Sequence, residues 1–215
     1  MPAAPLTFTA RHVQLSRAVL AAVAALMITF SSDHSAVIGL SVFGGFAIAT
    51  ALVLVLAAIL VHRGGHRWPA LIMAGVSFVL GMTASIPSLR SDTLFFVVVI
   101  SWAAVTGLVE LIAGIRSKGV EGARDAVITG GAALLLALVL LAIPVGFVHE
   151  YMTPQGETMA LTGIILGVGT FGGYAAIVAV VQGIGGLTPK AKKTVQATAD
   201  TDAGVDRLAD QGGPA

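Results

Sequence analysis

Long uninterrupted apolar stretches constrain this chain more than any other feature. A helix crossing about 30 Å of hydrocarbon needs roughly 20 residues at 1.5 Å each. Residues 36–61, 68–88, 94–115, 126–148 and 159–186 each meet that length. A sixth stretch is shorter: its fully apolar part, AVLAAVAALMITF, runs only from Ala18 to Phe30 behind Arg11 and Arg17. That is also the length of a signal-peptide core. The following SSDHSA, however, has no small residue three positions before a cut after Ala36. With Arg17 reaching back to the headgroups, a span over 13–31 becomes long enough, and an uncleaved first span is expected. The composition agrees, with 56% hydrophobic and 11% charged residues and a mean hydropathy of +0.94. A soluble domain carries about a quarter charged residues, so lipid must be the main solvent here.

Six spans put both termini on one side, and the basic residues test this independently of hydropathy. Arg11 and Arg17 precede the first span, Arg63 and Arg67 follow the second, and Arg116, Lys118 and Arg124 follow the fourth. Lys190, Lys192, Lys193 and Arg207 follow the sixth. Eleven of the twelve cations thus fall on one side, leaving Arg90 opposite. The expectation is a plasma-membrane protein with both termini cytoplasmic. Trp68 and Tyr151 suit the inner and outer interfaces. Residues 1–12 form a cytoplasmic N-terminal segment, 13–187 the membrane domain, and 188–215 a polar tail. The tail is too poor in large apolar side chains to order itself, so it reads as disordered and open to a protein partner.

The sequence also repeats itself. A shift of 56 residues sets ATALVLVLAAI of the second span on VTGLVELIAGI of the fourth, and six of thirteen positions from Ala47 to Ile59 are identical, Thr50/Thr106 among them. The same shift aligns Ala70/Ala126, Ile72/Ile128, Gly75/Gly131 and Leu80/Leu136 of the third and fifth spans. FGGFA at Phe43 and FGGYA at Phe171 hint at a third copy, in whose register Phe46, Trp102 and Tyr174 coincide. The expected fold is all-α: a polytopic bundle of six transmembrane helices built as three tandem helical hairpins.

Glu110 is the one acid inside a confident span, and a charge at the bilayer centre costs roughly 2.5 to 3.5 kcal/mol on insertion scales. Arg116 lies six residues on, about 9 Å along the axis, which places Glu110 near the cytoplasmic boundary. The plain structural reading pairs it with Arg17, at a comparable depth in span one; the functional reading gives it a proton or a ligand. The repeat puts Gln182 level with Glu110 and Leu54, so Glu110, Gln182 and Arg17 form a candidate intramembrane polar site. The outer loops hold Asp33, His34, Asp92, His149, Glu150 and Glu157. These types titrate between about pH 4 and 7, so His34, His149 and Glu150 are candidate pH sensors, against the plainer reading of hydrated loops.

Gly167 to Gly172 spells GxGxxG. That loop binds dinucleotides only between a strand and a helix, and here it lies in an apolar helix. Gly163, Gly167, Gly169 and Gly173, with Ser41, Gly45 and Ala49 of span two, read instead as helix-packing positions that could also support a homo-oligomer. Pro69 suits a helix's first turn, and Pro87 and Pro144 suit span ends or kinks. Zero cysteine removes thiolate metal sites, and 12 basic against 11 acidic residues leave no field for nucleic acid. His149-Glu150 lacks the second histidine of HExxH, and no Walker loop, GxSxG elbow or intramembrane carboxylate pair is present. A non-enzymatic protein without a cofactor or metal is expected.

Three segments, LSRAVLAAVAAL in span one, RWPALIMAGVSFVLG opening span three and SWAAVTGLVELIAGIRSKG closing span four, resemble the HdeD family of acid-resistance membrane proteins. The likeness covers roughly residues 14–186 and rests on glycines, aromatics and helix-end arginines. It implies a six-span protein of the bacterial inner membrane with a role in acid or envelope stress tolerance, and supplies no catalytic residues. The tail after Leu187 departs from the family pattern. Two further expectations stand beside it: a small-solute or proton transporter or channel using Glu110, and a scaffold subunit recruiting its partner through the tail.

Overall fold

A computed structural model describes residues 9–61, 67–117, 122–154, 156 and 158–188. Residues 1–8, most of the expected tail, Lys118 and Glu157 lie outside them. Six helices, α1 (Ala10–Thr29), α2 (Ala36–Leu60), α3 (Trp68–Ser85), α4 (Asp92–Arg116), α5 (Ala123–Ala142) and α6 (Gly163–Leu187), are each long and apolar enough to cross a membrane. The protein is a six-span membrane protein. Local chemistry sets several of the helix ends. The Ser91 hydroxyl accepts from the Leu94 amide at 3.1 Å to open α4. Asp92 in its first turn and Arg116 in its last complement the helix dipole. Pro69 sits in the first turn of α3, where its missing N–H costs nothing.

Three pairings dominate the packing: α2 with α3, α4 with α5, and α6 with α1. Lesser contacts of α1 with α2, α3 with α4 and α5 with α6 close the six helices into a ring. The expected three tandem hairpins need correcting at this point. Two pairs are consecutive in sequence, while the third joins the first and last described helices. Helices α2, α4 and α6, 25 residues each, bury 56, 50 and 44% of an apolar stretch of 18 residues, against 33% for each of α1, α3 and α5. The longer three therefore form the inner layer.

Residues equivalent by the repeat occupy equivalent places. Ala47, Ala103 and Ala175 are all fully buried, which lets the inner helices come close. Ala21, Ser77 and Ala133 of the outer helices, spaced by the same 56 residues, are likewise buried, so α1 belongs to the pattern although its sequence hardly shows it. Phe46, Trp102 and Tyr174 meet at the centre together with Phe43 and Phe171. Trp102 lies edge-on to Phe43, Phe46 and Tyr174 at centroid distances of 5.5, 5.6 and 5.8 Å, a geometry that sets the positive ring edge on the negative ring face.

The outer ends of two expected spans are not helical. α5 stops at Ala142 rather than 148, because Ile143 precedes Pro144 and takes extended backbone angles (φ −88, ψ 115). Ile86 before Pro87 ends α3 in the same way, short of residue 88, and a single 3-10 turn over Pro87–Leu89 follows. Strands β1 (Val148–Met152) and β2 (Thr158–Thr162) then form an antiparallel hairpin, Val148 opposite Thr162 and Met152 opposite Thr158. α6 accordingly starts at Gly163, not 159. The apolar run through IPVGFV and MALT raises hydropathy without any preference for helix over strand. The β-branched and aromatic residues beyond Pro144, with Gly156 at φ 84 in the turn, favour the hairpin. The all-α expectation holds for the membrane layer and misses this element.

Candidate functional site

α1 carries Arg11, Gln14 and Arg17 at steps of three residues, a row that winds around the helix and faces three different neighbours. Arg11 donates from Nε to the Gly186 carbonyl at 2.5 Å, closing the C-terminal end of α6. Gln14 donates from Nε2 to Asp125 Oδ2 at 3.0 Å, in the first turn of α5. Arg17 reaches α4: Nη1 donates to Glu110 Oε1 at 2.7 Å and Nη2 to Oε2 at 3.2 Å. The least apolar helix is thus fastened to three others by polar bonds on the side where the cations gather. The Arg17–Glu110 contact is the fork-on-carboxylate geometry that makes charge-assisted pairs strong. Their side chains are only 15 and 9% exposed. Each charge offsets part of the other's desolvation cost, and neither is left to face lipid alone.

Above the pair lies a small polar chamber between the inner helices and α3. Thr50, Ser77, Thr106 and Tyr174 border it together with Arg17 and Glu110, and Phe46, Leu54, Met73, Trp102 and Val178 supply its apolar wall. Its space for a water centre is about 10 Å³, roughly the room one water requires. Trp102 Nε1 donates to Ser77 Oγ at 2.9 Å across the α4–α3 boundary. Thr106 donates to the Trp102 carbonyl at 2.6 Å.

The structure brings Arg17 and Glu110 together. Gln182 is buried at 2% exposure with its Oε1 lacking a hydrogen-bond partner, but it is not among the chamber's lining residues. The outer candidates do not converge. His149 and Glu150 are neighbours on β1 and so point to opposite faces of the exposed hairpin. His34 borders a separate recess with Asp33, Ser35 and Thr162. Among the described residues no three His, Asp or Glu side chains stand close enough to hold a metal.

The small-residue positions divide. Gly163 lies against the Pro144 carbonyl and Gly167 against the Phe95 and Phe96 rings. Gly45, Gly169 and Gly173 have open space where a side chain would be, and Ser41 is exposed beside them on α2. Ala49 is half-buried, and the open positions Gly45, Gly169 and Gly173 have no other part of the chain packed on them. Another close approach joins α4 and α5: a Cβ on Gly130 would stand 2.6 Å from the Leu111 amide nitrogen and 2.8 Å from the Gly107 carbonyl oxygen.

Sequence reasoning also passed over Thr50, Ser77 and Thr106 as site residues, although the Thr50/Thr106 identity in the repeat was a signal. Nothing in the sequence marked Gln14 and Asp125 as partners. Comparison of the chain with protein-family models, with curated proteins and with solved structures finds no match.

Proposed function

We propose that this protein is a non-enzymatic, six-span plasma-membrane protein of the HdeD type that helps a bacterial cell tolerate acid or envelope stress, with both termini in the cytoplasm. The resemblance in spans one, three and four supports the family, and the cation asymmetry supports the orientation. The observation that carries the reading is the largely buried Arg17–Glu110 pair. The Glu110 carboxylate is paired with Arg17 by two hydrogen bonds beside a space of about one water, an arrangement suited to a stable barrier protein more than to a reaction centre. Deleting the gene is expected to lower survival at low pH and to raise the proton permeability of the membrane, and re-expression to restore both. Unchanged survival and permeability in the deletion strain would overturn the reading.

A second reading makes Glu110 the binding group of a small-solute or proton transporter. The contact of Glu110 with a polar chamber walled by α2, α3, α4 and α6 favours it. It requires that Glu110→Gln change flux in liposomes holding the purified protein; equal flux in mutant and parent would remove it.

A further inference from the structure

The Thr50 hydroxyl lacks a bond that six other helical Ser and Thr hydroxyls of the described residues make. Ser and Thr inside a helix usually donate to the carbonyl four residues earlier. Ser41, Thr83, Ser85, Thr106, Thr129 and Thr170 all do so here, at 2.6 to 2.9 Å. Thr50 is 4% exposed, and its Oγ1 has no hydrogen-bond partner, although Phe46 lies one turn back in the same helix. The large majority of buried side-chain hydroxyls have a hydrogen-bond partner in protein or in ordered water. Thr50 borders the chamber above the ion pair, as do Ser77, Thr106, Glu110 and Tyr174.

We propose that this chamber is a binding site for one structural water, which bridges the Thr50 hydroxyl of α2 to the Glu110 carboxylate of α4. Size and chemistry both select water. The space is about that of a single molecule, and a buried water needs two to four polar partners, which the bordering residues supply. A free cation is disfavoured because Arg17 already takes both Glu110 oxygens and would repel a second positive charge. An anion would face the carboxylate. The water accepts or donates at Thr50 and donates to a remaining lone pair of Glu110, so the polar centre joins α1, α4 and α2 in place of α1 and α4 alone. Thr50 is then a positioning residue for the ion pair. The inference concerns the chamber and does not depend on the acid-tolerance reading.

The test has two arms on the full chain in nanodiscs. The first is an experimental map of the unmutated protein at a resolution that shows ordered waters. Density within hydrogen-bond reach, roughly 2.7 to 3.2 Å, of both Thr50 Oγ1 and a Glu110 oxygen is expected. A chamber without density, with Thr50 turned to the Phe46 carbonyl, overturns the proposal. The second arm compares the melting temperatures of Thr50→Val and Thr170→Val. Valine keeps the shape and removes the hydroxyl, so a bound water loses a partner and Thr50→Val lowers the melting temperature more than the Thr170→Val reference. If the hydroxyl is merely stranded, its removal relieves a cost and the melting temperature rises. A rise, or a change equal to the reference, counts against the water, and the map decides if the variant does not purify.

Discussion

Arg17 and Glu110, 93 positions apart, face each other in the half of the bundle where the cations gather and share two hydrogen bonds, although α1 and α4 do not pack along each other. The pair therefore ties the bundle through its centre rather than along a helix–helix seam. Removing one partner strands the other charge in a site that is almost closed to water. Glu110→Leu or Arg17→Met alone is expected to cost about 3–5 kcal/mol of stability. The double variant Arg17→Met/Glu110→Leu, which leaves no charge behind, should lose less than either single change. Denaturant or thermal unfolding of the four proteins in one detergent checks this. Single losses that simply add in the double would show that the two side chains act independently.

Ser77 holds the indole of Trp102 where α3 meets α4, and both residues are nearly fully buried. Ser77→Ala leaves the indole N–H without its acceptor. The expected loss is about 1–3 kcal/mol, the cost of an unsatisfied buried donor. In a Trp68→Phe background Trp102 is the only tryptophan, so its fluorescence follows the same site. Ser77→Ala should change that emission together with the melting temperature, and an unchanged melting temperature would mean that the bond contributes nothing net.

Hydropathy and the repeat made most of this fold legible. Six apolar runs gave the helix number, and the register that superposed Phe46, Trp102 and Tyr174 named three rings that do meet at the centre. What stayed hidden has physical causes. Apolar runs have no directional information, so 143–148 and 159–162 read as membrane helix until Pro144 is given its effect on Ile143. The α6–α1 pair was obscured because α1 keeps the burial pattern of α3 and α5 with few of their residues. At the site, Glu110 was conspicuous because a lone acid in an apolar run is expensive. Thr50 was not, since a threonine that bonds its own helix and one that faces a cavity look the same in sequence.

The glycines separate into two mechanical classes. At Gly130 a methyl group would meet backbone of α4, the Leu111 nitrogen at 2.6 Å and the Gly107 oxygen at 2.8 Å, and neither atom can give way without moving the helix. Gly130→Ala is expected to cost about 1–3 kcal/mol, as overpacking does. Gly45→Ala and Gly169→Ala meet open space and should leave stability unchanged or slightly raised. Thermal unfolding of the three variants decides, and an equal response at all three would contradict the close α4–α5 approach. If copies of the chain associate through the outward stripe, Gly169→Leu should alter the oligomeric state in mild detergent while leaving the fold intact.

The absence of native cysteine makes the threading directly measurable. Ser35 precedes α2, Ser91 precedes α4 and Thr153 lies in the turn of the β-hairpin, whereas Ser117 follows α4 at the end where the cations gather. Single cysteines at Ser35, Ser91 and Thr153 should react with an impermeant thiol reagent added to intact cells, and one at Ser117 should react only after the membrane is opened. The physical basis is that short loops rich in Lys and Arg stay on the cytoplasmic side. Labelling of Ser117 in intact cells with protection of the other three would invert the protein, placing the Arg17–Glu110 pair near the outer surface and removing the cytoplasmic setting proposed for it.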